Sequence, residues 1–359
     1  MLIQVVEPTL RDETGHCYSY ITSLLEASKE INLNLELWIA RKTQVVFDLP
    51  FAMHHYFLKR CRRLQQFWLY FRFLLKHQPF FVPTAGRVDL IILHILSKFG
   101  LLTNKVFLHF HQFRKTEKKL KQLRSMHQLH NNVKIFTPTD GLSKIFQNAG
   151  FKQVIVVPCF SFQCSTNLPR SDSFRKLLFA GAARADKGFS VVVDFIAYLI
   201  EKRINIPFDC QISPPHSGRY DAQSKLSLTK LNSLSASWLT LYKTSLNKQK
   251  YLALFEGAIC LLPYDPTAYS DKFSAVLLDA LLAGCPVIVS KNTWMSEIVQ
   301  RFGAGITIHD NTPLTLLAAV EKIIDNYEIY RNKASDASEI LRLEHSPKKV
   351  LEAIVSLTG

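Results

Sequence analysis

The sequence predicts an α/β protein with two doubly wound parallel sheets that face each other across a cleft. Short Val-, Ile- and Leu-rich segments alternate with helical ones in both halves, and a Ser-, Asn- and Pro-rich segment at 161–173 separates the halves. With 359 residues, of which 48% are hydrophobic, the chain can bury more than one core. We expect an N-terminal domain at 1–168, a second domain at 169–340, and a C-terminal helix at 341–359 that packs back on the first domain.

The first series of elements begins with MLIQVVEP, which has the apolar character of a buried strand. A helix is expected after Gly15 and His16, followed by the strand NLELWIA, and this strand–helix–strand order is typical of a parallel sheet. Further strands are predicted at RVDLIILHIL, KVFLHFH, NVKIFTPT and QVIVVPCF, with the helix DGLSKIFQNAG after the third of these.

The second series follows the same alternation after residue 173. Helices are predicted at FSVVVDFIAYLIEKR and FSAVLLDALLAG, and over most of the tail from Pro313. Strands are predicted at RKLLFAG, FDCQIS, GAICLLPY, CPVIVS and GAGITI. Ligands of doubly wound sheets bind at the carboxyl ends of the strands, so the loops after these strands are the candidate binding segments.

The formal net charge of +15 is concentrated in one segment of the first half. Residues 57–124 contain 15 Lys and Arg but only 2 Asp and Glu, whereas the rest of the chain is close to neutral. A local basic surface indicates an anionic partner, such as nucleic acid, an anionic membrane face or a phosphorylated substrate. No zinc-finger, RRM or KH pattern accompanies the charge, so we expect no nucleic-acid binding.

The seven cysteines are scattered and odd in number, at positions 17, 61, 159, 164, 210, 260 and 285. They form no CxxC pair and no Cys/His cluster with zinc spacing, so we expect reduced thiols and no metal site. The N-terminus lacks the basic region of a secretory signal, and we find no apolar run long enough to span a bilayer. We therefore expect a cytoplasmic protein that can also bind peripherally to the cytoplasmic face of the membrane.

The segment FAGAARADKGFSVVVDF predicts a strand, a loop from Gly181 to Gly188, and a helix. Glycine lets the backbone approach a ligand closely, and a helix N-terminus offers free N–H groups and a partial positive charge. Arg184 and Lys187 add two cations, and the combination suits a diphosphate. The Walker pattern GxxxxGK[ST] is absent, and the spacing alone fits an ordinary strand–helix turn with solvated cations equally well.

This loop, followed by YSDKFSAVLLDALLAGCPVIVS and TWMSEIV, resembles the C-terminal half of family 4 glycosyltransferases, which have two Rossmann-like domains (the GT-B fold). In that family the loop carries an Arg and a Lys-Gly that hold the donor diphosphate, and a later E-x7-E motif runs into EAxxxGxPVI. The resemblance is specific in residues 177–300. It is weaker in the first half, where it rests on GHCYSYITSLLEAS, VDLIILH, VFLHFHQF and VIVVPCF.

The resemblance implies transfer of a sugar from a nucleotide-sugar to a glycan or lipid-linked acceptor, with retention, in cell-surface polysaccharide or glycolipid assembly. It places Asp271 at the donor sugar, Asp279 at the nucleotide ribose, and Arg184 and Lys187 at the diphosphate. The other residues it assigns to the donor site are Gly181, Gly188, Lys272, Gly15 and His16. No metal or other cofactor is expected, because the two cations stabilise the departing diphosphate.

The sequence departs from the family pattern at three places. Both motif carboxylates are Asp rather than Glu, which is longer by one C–C bond of ~1.5 Å. Ala182 stands where the family usually has Arg, and KNTW replaces a Gly-Gly. These departures leave open a catalytically degenerate scaffold of the same fold in a glycan assembly complex, and a nucleotide-sugar epimerase is a further alternative.

The spacing of the two aspartates argues against an acid/base pair. Eight residues of helix span ~12 Å, more than the ~5–9.5 Å that separates the two carboxyl groups of glycoside hydrolases. We expect Asp271 in the loop before a helix and Asp279 about two turns further on, where they accept hydrogen bonds from different parts of one extended ligand. The alternative is a helix-terminal charge at Asp271 and a surface charge at Asp279.

Two histidines stand near the end of the predicted strand KVFLHFH, and a strand-end histidine of the resembled family can contact the donor sugar. We assign that role to His111. We place His109 and His111 on opposite faces of the strand, and expect one of them to be structural.

The segment from His54 to Phe81 combines aromatic residues with Lys and Arg. It predicts a helix with a single apolar stripe, formed by Phe57, Cys61, Leu64, Trp68, Phe71 and Leu75. This composition is typical of a helix at an anionic membrane surface, and we favour such contact through the basic segment 57–124. The alternative is a helix that buries the stripe and leaves its cations in water.

Overall fold

The described residues form two sheets in which every neighbouring pair of strands is parallel. The computed structural model describes residues 1–12, 15–45, 47, 51–102, 105–113, 115–160, 171–214, 220–244 and 246–358, with Gly15, His16 and Lys248 by backbone alone. Two units divide the chain: residues 1–162 with 344–359 (the first unit), and residues 163–343 (the second unit). Most of the predicted linker at 161–173 lies outside the described residues.

The first unit contains a seven-stranded sheet. Its strands are β1 Leu2–Glu7, β2 Asn34–Ala40, β3 Ala52–Phe57, β4 Phe80–Val82, β5 Val106–His109, β6 Val133–Thr137 and β7 Val154–Val156. Its helices are α1 Gly15–Glu30, α2 Arg62–Leu75, α3 Arg87–Ser97, α4 Glu117–Arg124 and α5 Asp140–Asn148. The strand order is β3-β2-β1-β4-β5-β6-β7.

The second unit contains a six-stranded sheet. Its strands are β8 Lys176–Phe179, β9 Phe208–Gln211, β10 Leu239–Tyr242, β11 Ala258–Leu262, β12 Val287–Ser290 and β13 Gly305–Ile308. Its helices are α6 Phe189–Glu201, α7 Ala222–Asn232, α8 Lys248–Ala253, α9 Pro266–Tyr269, α10 Ala275–Leu282, α11 Trp294–Phe302, α12 Pro313–Asp325 and α13 Tyr327–Glu344. The strand order is β10-β9-β8-β11-β12-β13.

Both sheets are doubly wound, because the chain starts in the middle of each sheet, builds outward in one direction, and then crosses to build in the other. The strands β11 and β12 are buried along their whole length, as expected for a sheet covered by helices on both faces. The prediction of two doubly wound α/β sheets is therefore confirmed.

The predicted strand RVDLIILHIL is wrong, because this segment forms the helix α3. Its buried residues Leu90, Leu93 and Leu96 recur at the spacing of a helix face, and a continuous apolar run does not by itself distinguish a strand from a buried helix. Asp89 begins the helix by accepting a 2.8 Å hydrogen bond from the amide of Gly86. The strand of this region is the preceding β4, which has only three residues.

The C-terminal segment forms a separate helix, α14 Pro347–Ser356, which packs on α1 in the first unit. Lys348 pairs with Glu30 of α1. His345, just before the helix, forms a hydrogen bond with the carbonyl oxygen of Cys159. No helix in the described part of the chain has both the length and the hydropathy of a transmembrane span.

The basic aromatic segment from His54 to Phe81 is not one continuous helix, because β3 ends at Phe57 and α2 begins at Arg62. The side chains of Leu64, Trp68 and Leu75 are 61%, 54% and 51% exposed. The core-facing side of α2 carries different residues: Gln66, Leu69, Tyr70, Phe73 and Leu74. The predicted stripe is therefore exposed at three of its four positions in α2, whereas the fourth, Phe71, is half-buried against the core.

Candidate active site

Two loops of the second unit leave the sheet where its strand order reverses, between β8 and β11. Ligands of doubly wound sheets bind at such a switch point. Residues 180–188 follow β8 and are called the phosphate loop, and residues 263–274 follow β11 and are called the aspartate loop. The amide of Asp265 donates a 3.1 Å hydrogen bond to the carbonyl oxygen of Asp186, which joins the two loops.

The phosphate loop contains two glycines with left-handed backbones, with φ of +102° at Gly181 and +68° at Gly188. A Cβ atom at Gly188 would lie 2.0 Å from the carbonyl oxygen of Pro263, so this position has no room for a side chain. A Cβ atom at Gly181 would lie 2.8 Å from Nζ of Lys187, so the lysine ammonium packs directly against the glycine. Gly188 is needed for the close approach of the two loops, and Gly181 makes room for the ammonium of Lys187.

Asp186 holds two cations of the site. Arg184 donates to it from Nε at 2.7 Å and through a second guanidinium nitrogen, and Nζ of Lys272 lies 3.6 Å from the same carboxylate. Burial lowers the pKa of Lys272, and the nearby guanidinium of Arg184 lowers it further. Asp186 was not predicted as a site residue, although it stands between Arg184 and Lys187 in the sequence, because an acid beside two cations is ordinarily a local surface pair.

Lys187 differs from these two cations, because no ion pair among the described residues includes it. Its ammonium lies 5.6 Å from the centroid of the Tyr264 ring. Burial lowers the pKa of Lys187 to about 8, and repulsion by Arg184 adds to the effect. The Lys187 side chain is partly buried, and Asp186 and Asp279 attract it only from beyond ion-pair distance. A partly dehydrated cation with no carboxylate in direct contact, in a loop at the switch point, indicates an anion-binding site.

The two aspartates occupy different environments in the second unit. Asp271 lies in the aspartate loop before α10, as the spacing predicts, and accepts a 2.9 Å hydrogen bond from Ser270. Asp279 lies within α10, is only 6% exposed, and accepts a 2.8 Å hydrogen bond from the hydroxyl of Tyr251. The alternative of a surface charge at Asp279 is therefore wrong. Tyr251 was not foreseen, because no local pattern links α8 to α10.

The N-terminus of α6 completes the phosphate loop. The helix begins directly after Gly188, which offers no side-chain cap, so the first-turn amides have no side-chain acceptor. These amides, the two glycines and the three cations Arg184, Lys187 and Lys272 together offer donors and positive charge to one ligand. Such an arrangement suits a multiply charged anion such as a diphosphate.

The first unit places the two predicted histidines at the end of β5. His109 is fully buried, with Nδ1 2.8 Å from the hydroxyl of Tyr20 and Nε2 3.7 Å from Sγ of Cys159. His111 is partly exposed, and its ring centroid lies 4.7 Å from that of His109. The prediction that the two occupy opposite faces is wrong, because residues i and i+2 of a strand point to the same side.

The ligand atoms of His109, His111 and Cys159 all lie within 4.8 Å of one another. Sequence spacing gave no sign of this group, because Cys159 follows β7 and is distant in the chain. The expectation that the protein has no metal site stays a prediction. Helix α1 begins at Gly15 and not after His16 as predicted, and the side chain of His16 lies outside the described residues.

Comparison with known proteins agrees with the two-sheet architecture. The chain superimposes on sucrose-phosphate synthase from Thermosynechococcus elongatus with a TM-score of 0.70 at 13% identity, covering 100% of this chain and 97% of that one. Anabaena Alr3699/HepE in complex with UDP-glucose gives a TM-score of 0.71 at 13% identity, with 99% and 98% coverage. WaaG, a glycosyltransferase involved in lipopolysaccharide biosynthesis, gives 0.68 at 13% identity, with 99% coverage of both chains.

The sequence itself matches a family model over residues 166–340, described as glycosyl transferases group 1. This range includes the phosphate loop, the aspartate loop and both aspartates. No match was found among curated proteins. Residues 166–340 therefore form a glycosyl transferases group 1 domain, and the chain as a whole has the two-Rossmann-domain (GT-B) fold of these solved structures.

Proposed function

We propose that the chain transfers a sugar from a nucleotide-sugar to a hydroxyl of a glycan or lipid-linked acceptor, with retention, as a family 4-type glycosyltransferase. The observation that carries this proposal is the ammonium of Lys187, packed against Gly181 at the switch point with a pKa lowered to about 8. A diphosphate would supply the missing anionic partner.

In this mechanism the bond between the anomeric carbon and the diphosphate oxygen breaks, and the acceptor oxygen forms the new bond to that carbon. The acceptor proton leaves to a phosphate oxygen or to water, and the nucleoside diphosphate departs. Lys187, Arg184 and Lys272 stabilise the negative charge that grows on the diphosphate, which is where preorganised cations accelerate a reaction most. The same three cations make an added metal ion unnecessary for this step.

The carboxylates bind the donor rather than move protons in this proposal. Asp271, in the aspartate loop, accepts hydrogen bonds from hydroxyls of the donor sugar. Asp279 binds the nucleotide ribose, and the hydroxyl of Tyr251 orients its carboxylate. We assign His111 of the first unit to the donor sugar, because it is partly exposed at the carboxyl end of β5.

A thermal-shift screen with UDP-, GDP-, ADP- and dTDP-sugars tests the donor. We expect one nucleotide class to raise the unfolding temperature selectively, because a ligand that binds only the folded state stabilises it. UDP-sugars are tested first, since Alr3699/HepE has been solved with UDP-glucose. If none of the four stabilises the protein at millimolar concentration, the nucleotide-sugar proposal is wrong.

With the donor identified, Asp271→Ala is expected to lower transfer by about 10²-fold or more, because the donor sugar loses a charged hydrogen-bond acceptor. Asp265→Ala is the matched control, since it removes another carboxylate of the same loop that caps α9. Binding of the donor by the wild-type protein without any turnover would favour the scaffold instead.

We also propose that the first unit contacts an anionic membrane surface through α2, in line with a lipid-linked acceptor at the cytoplasmic face. The exposed Leu64, Trp68 and Leu75 form one stripe, and the exposed cations Arg63 and Arg72 lie on the same helix. An apolar stripe with adjacent cations is typical of interfacial binding.

Flotation with vesicles containing anionic lipid tests this surface. We expect the wild-type protein to float at low salt, and Leu64→Ser with Trp68→Ser to reduce flotation severalfold. Leu226→Ser, which changes a 67% exposed leucine of the second unit, should have no effect. Equal flotation of the double variant and the control would rule out α2 as the contact.

A further inference from the structure

A cavity of about 450 Å³ lies at the carboxyl ends of β2 and β3, in the first unit. The loops after β1, β2 and β3 form its walls. Six cations line it, Arg11, Arg41, Lys42, Lys59, Arg60 and Arg62, and no Asp or Glu among the described residues does. This set is called the cation cavity below.

The six cations form no ion pair with an acid in the described part of the chain. Five of the six are exposed to solvent, so water and salt screen them in part, but charges of one sign this close together still repel each other. Their potentials therefore add within the cavity, and a multiply charged anion would lower the free energy of the whole set.

Backbone contacts hold the walls of the cavity together. The amide of Arg41 donates to the carbonyl oxygen of Phe57 at 2.8 Å, and the amide of Gln44 donates to that of Arg11 at 2.9 Å. Gln65 of α2 accepts a 2.7 Å hydrogen bond from the amide of Leu58 and donates one of 2.9 Å to the carbonyl oxygen of Tyr56, which ties the helix to the end of β3. The cations thus project from a fixed frame and not from independent loops.

The start of α2 adds amide donors at the same place. Cys61 precedes the helix without a side-chain cap, and the first turn contains no acidic residue. A larger cavity, of about 620 Å³, provides a contrast at the amino ends of β1 and β2, because Lys29 and Glu36 both line it and their charges cancel. Of these two cavities, the cation cavity combines one sign of charge among its described lining residues with the sheet edge at which doubly wound proteins bind ligands.

We propose that the cation cavity binds a phosphate or diphosphate group of the acceptor. The identification of this ligand as the acceptor rests on the proposed function, whereas the binding of a phosphate does not. The group can belong to a water-soluble sugar phosphate or to the headgroup of a lipid, and the two share the chemistry that the cavity recognises: several oxygens and at least two negative charges.

Calorimetric titration with inorganic pyrophosphate tests the cavity. All proteins in this titration carry Lys187→Met, because this substitution removes the competing anion site of the phosphate loop. We expect pyrophosphate to bind this protein at low salt, and Arg41→Glu with Arg60→Glu to weaken binding about tenfold or more, because two charge-assisted contacts become repulsive. Lys118→Glu with Lys121→Glu, on α4, is the control with the same change in net charge. If the Glu pair unfolds the protein, Arg41→Gln with Arg60→Gln replaces it.

Flotation with vesicles that contain phosphatidic acid, whose phosphomonoester can carry two negative charges, separates the two sources. Loss of pyrophosphate binding in the cavity variant supports the phosphate site in either case; loss of vesicle binding together with it supports a lipid headgroup, and unchanged vesicle binding supports a soluble phosphate. The proposal is overturned if the cavity and control variants bind pyrophosphate equally. A separate titration tests the second unit. It uses the cavity variant with Lys187 restored, and the nucleoside diphosphate found in the donor screen as ligand. Failure to bind this nucleoside diphosphate contradicts the proposed function but not the phosphate site in the cation cavity.

Discussion

Replacing Lys187 with methionine is expected to lower sugar transfer by about 10²–10³-fold while leaving the folded state as stable as before, or more stable. Transfer falls because the departing diphosphate loses a cation that needs no rearrangement, and such a preorganised group contributes most at the transition state. Stability is not expected to fall, because folding removes part of the hydration of this ammonium without giving it an ion-pair partner among the described residues. An apolar side chain of similar length avoids that cost.

The pKa of Lys187 supports the second half of this expectation. Since the pKa is about 8 in the folded protein and near 10.5 in an unfolded chain, the unfolded state binds more protons between these values. Lys187 therefore contributes stability that rises with pH from about 8 to about 10.5, against the opposite contribution of buried thiols whose pKa values burial raises. The stability advantage of Lys187→Met over the wild type should shrink across this pH range. Urea unfolding measures both effects. The control Lys202→Met, at the exposed end of α6, should change neither the rate of sugar transfer nor the pH dependence of stability. Wild-type turnover in Lys187→Met would contradict the proposed mechanism.

Gly188→Ala is expected to destabilise the second unit by about 2–5 kcal/mol. A left-handed alanine costs roughly 1–2 kcal/mol, and overpacking costs roughly 1–3 kcal/mol more, because the new Cβ would lie 2.0 Å from the rigid carbonyl oxygen of Pro263. The phosphate and aspartate loops would have to separate, so donor binding should be lost together with stability. The free energy of unfolding in urea, measured without and with donor, reports both.

Gly303→Ala is the matched control for this prediction. Gly303 has nearly the same φ, +65°, and belongs to the same unit, but the nearest atoms to its Cβ belong to the flexible end of Lys333 at 3.2 Å. The Gly303→Ala variant should therefore lose only about 1–2 kcal/mol of stability, the cost of a left-handed alanine, and should keep donor binding. Equal losses in the two variants would show that the contact with Pro263 does not hold the loops together.

The sequence predicted the parts of the fold that depend on local pattern. The strands of the second unit are continuous apolar segments bounded by Gly or Pro, and β11 and β12 lie where AICLL and VIVS are found. The phosphate loop was also predictable, because a strand, two glycines and a helix stand in order along the chain. Helix α3 was not, since an unbroken run of apolar residues fits a buried strand and a buried helix equally well.

The arrangement of the site depends on contacts between distant segments, which no local pattern contains. Asp186 holds Lys272, and Tyr251 orients Asp279, only because β8, β11 and α8 meet in the folded second unit. The cation cavity likewise draws its charges from three loops of the first unit. The excess of positive charge in residues 57–124 was visible in the sequence, but three of the six cations, Arg11, Arg41 and Lys42, lie outside that segment.

The pH dependence of donor affinity tests the role of Lys187 most directly. Calorimetric titration of the wild-type protein with its nucleoside diphosphate should give constant affinity from pH 7 to about 8, and then a loss approaching tenfold per pH unit as the ammonium deprotonates. The second phosphate ionisation is complete in this range, so the ligand charge does not change. Lys187→Arg, whose guanidinium stays charged, should bind with no such loss. Parallel profiles for the two proteins between pH 8 and 10 would contradict the claim that the Lys187 ammonium holds the donor diphosphate.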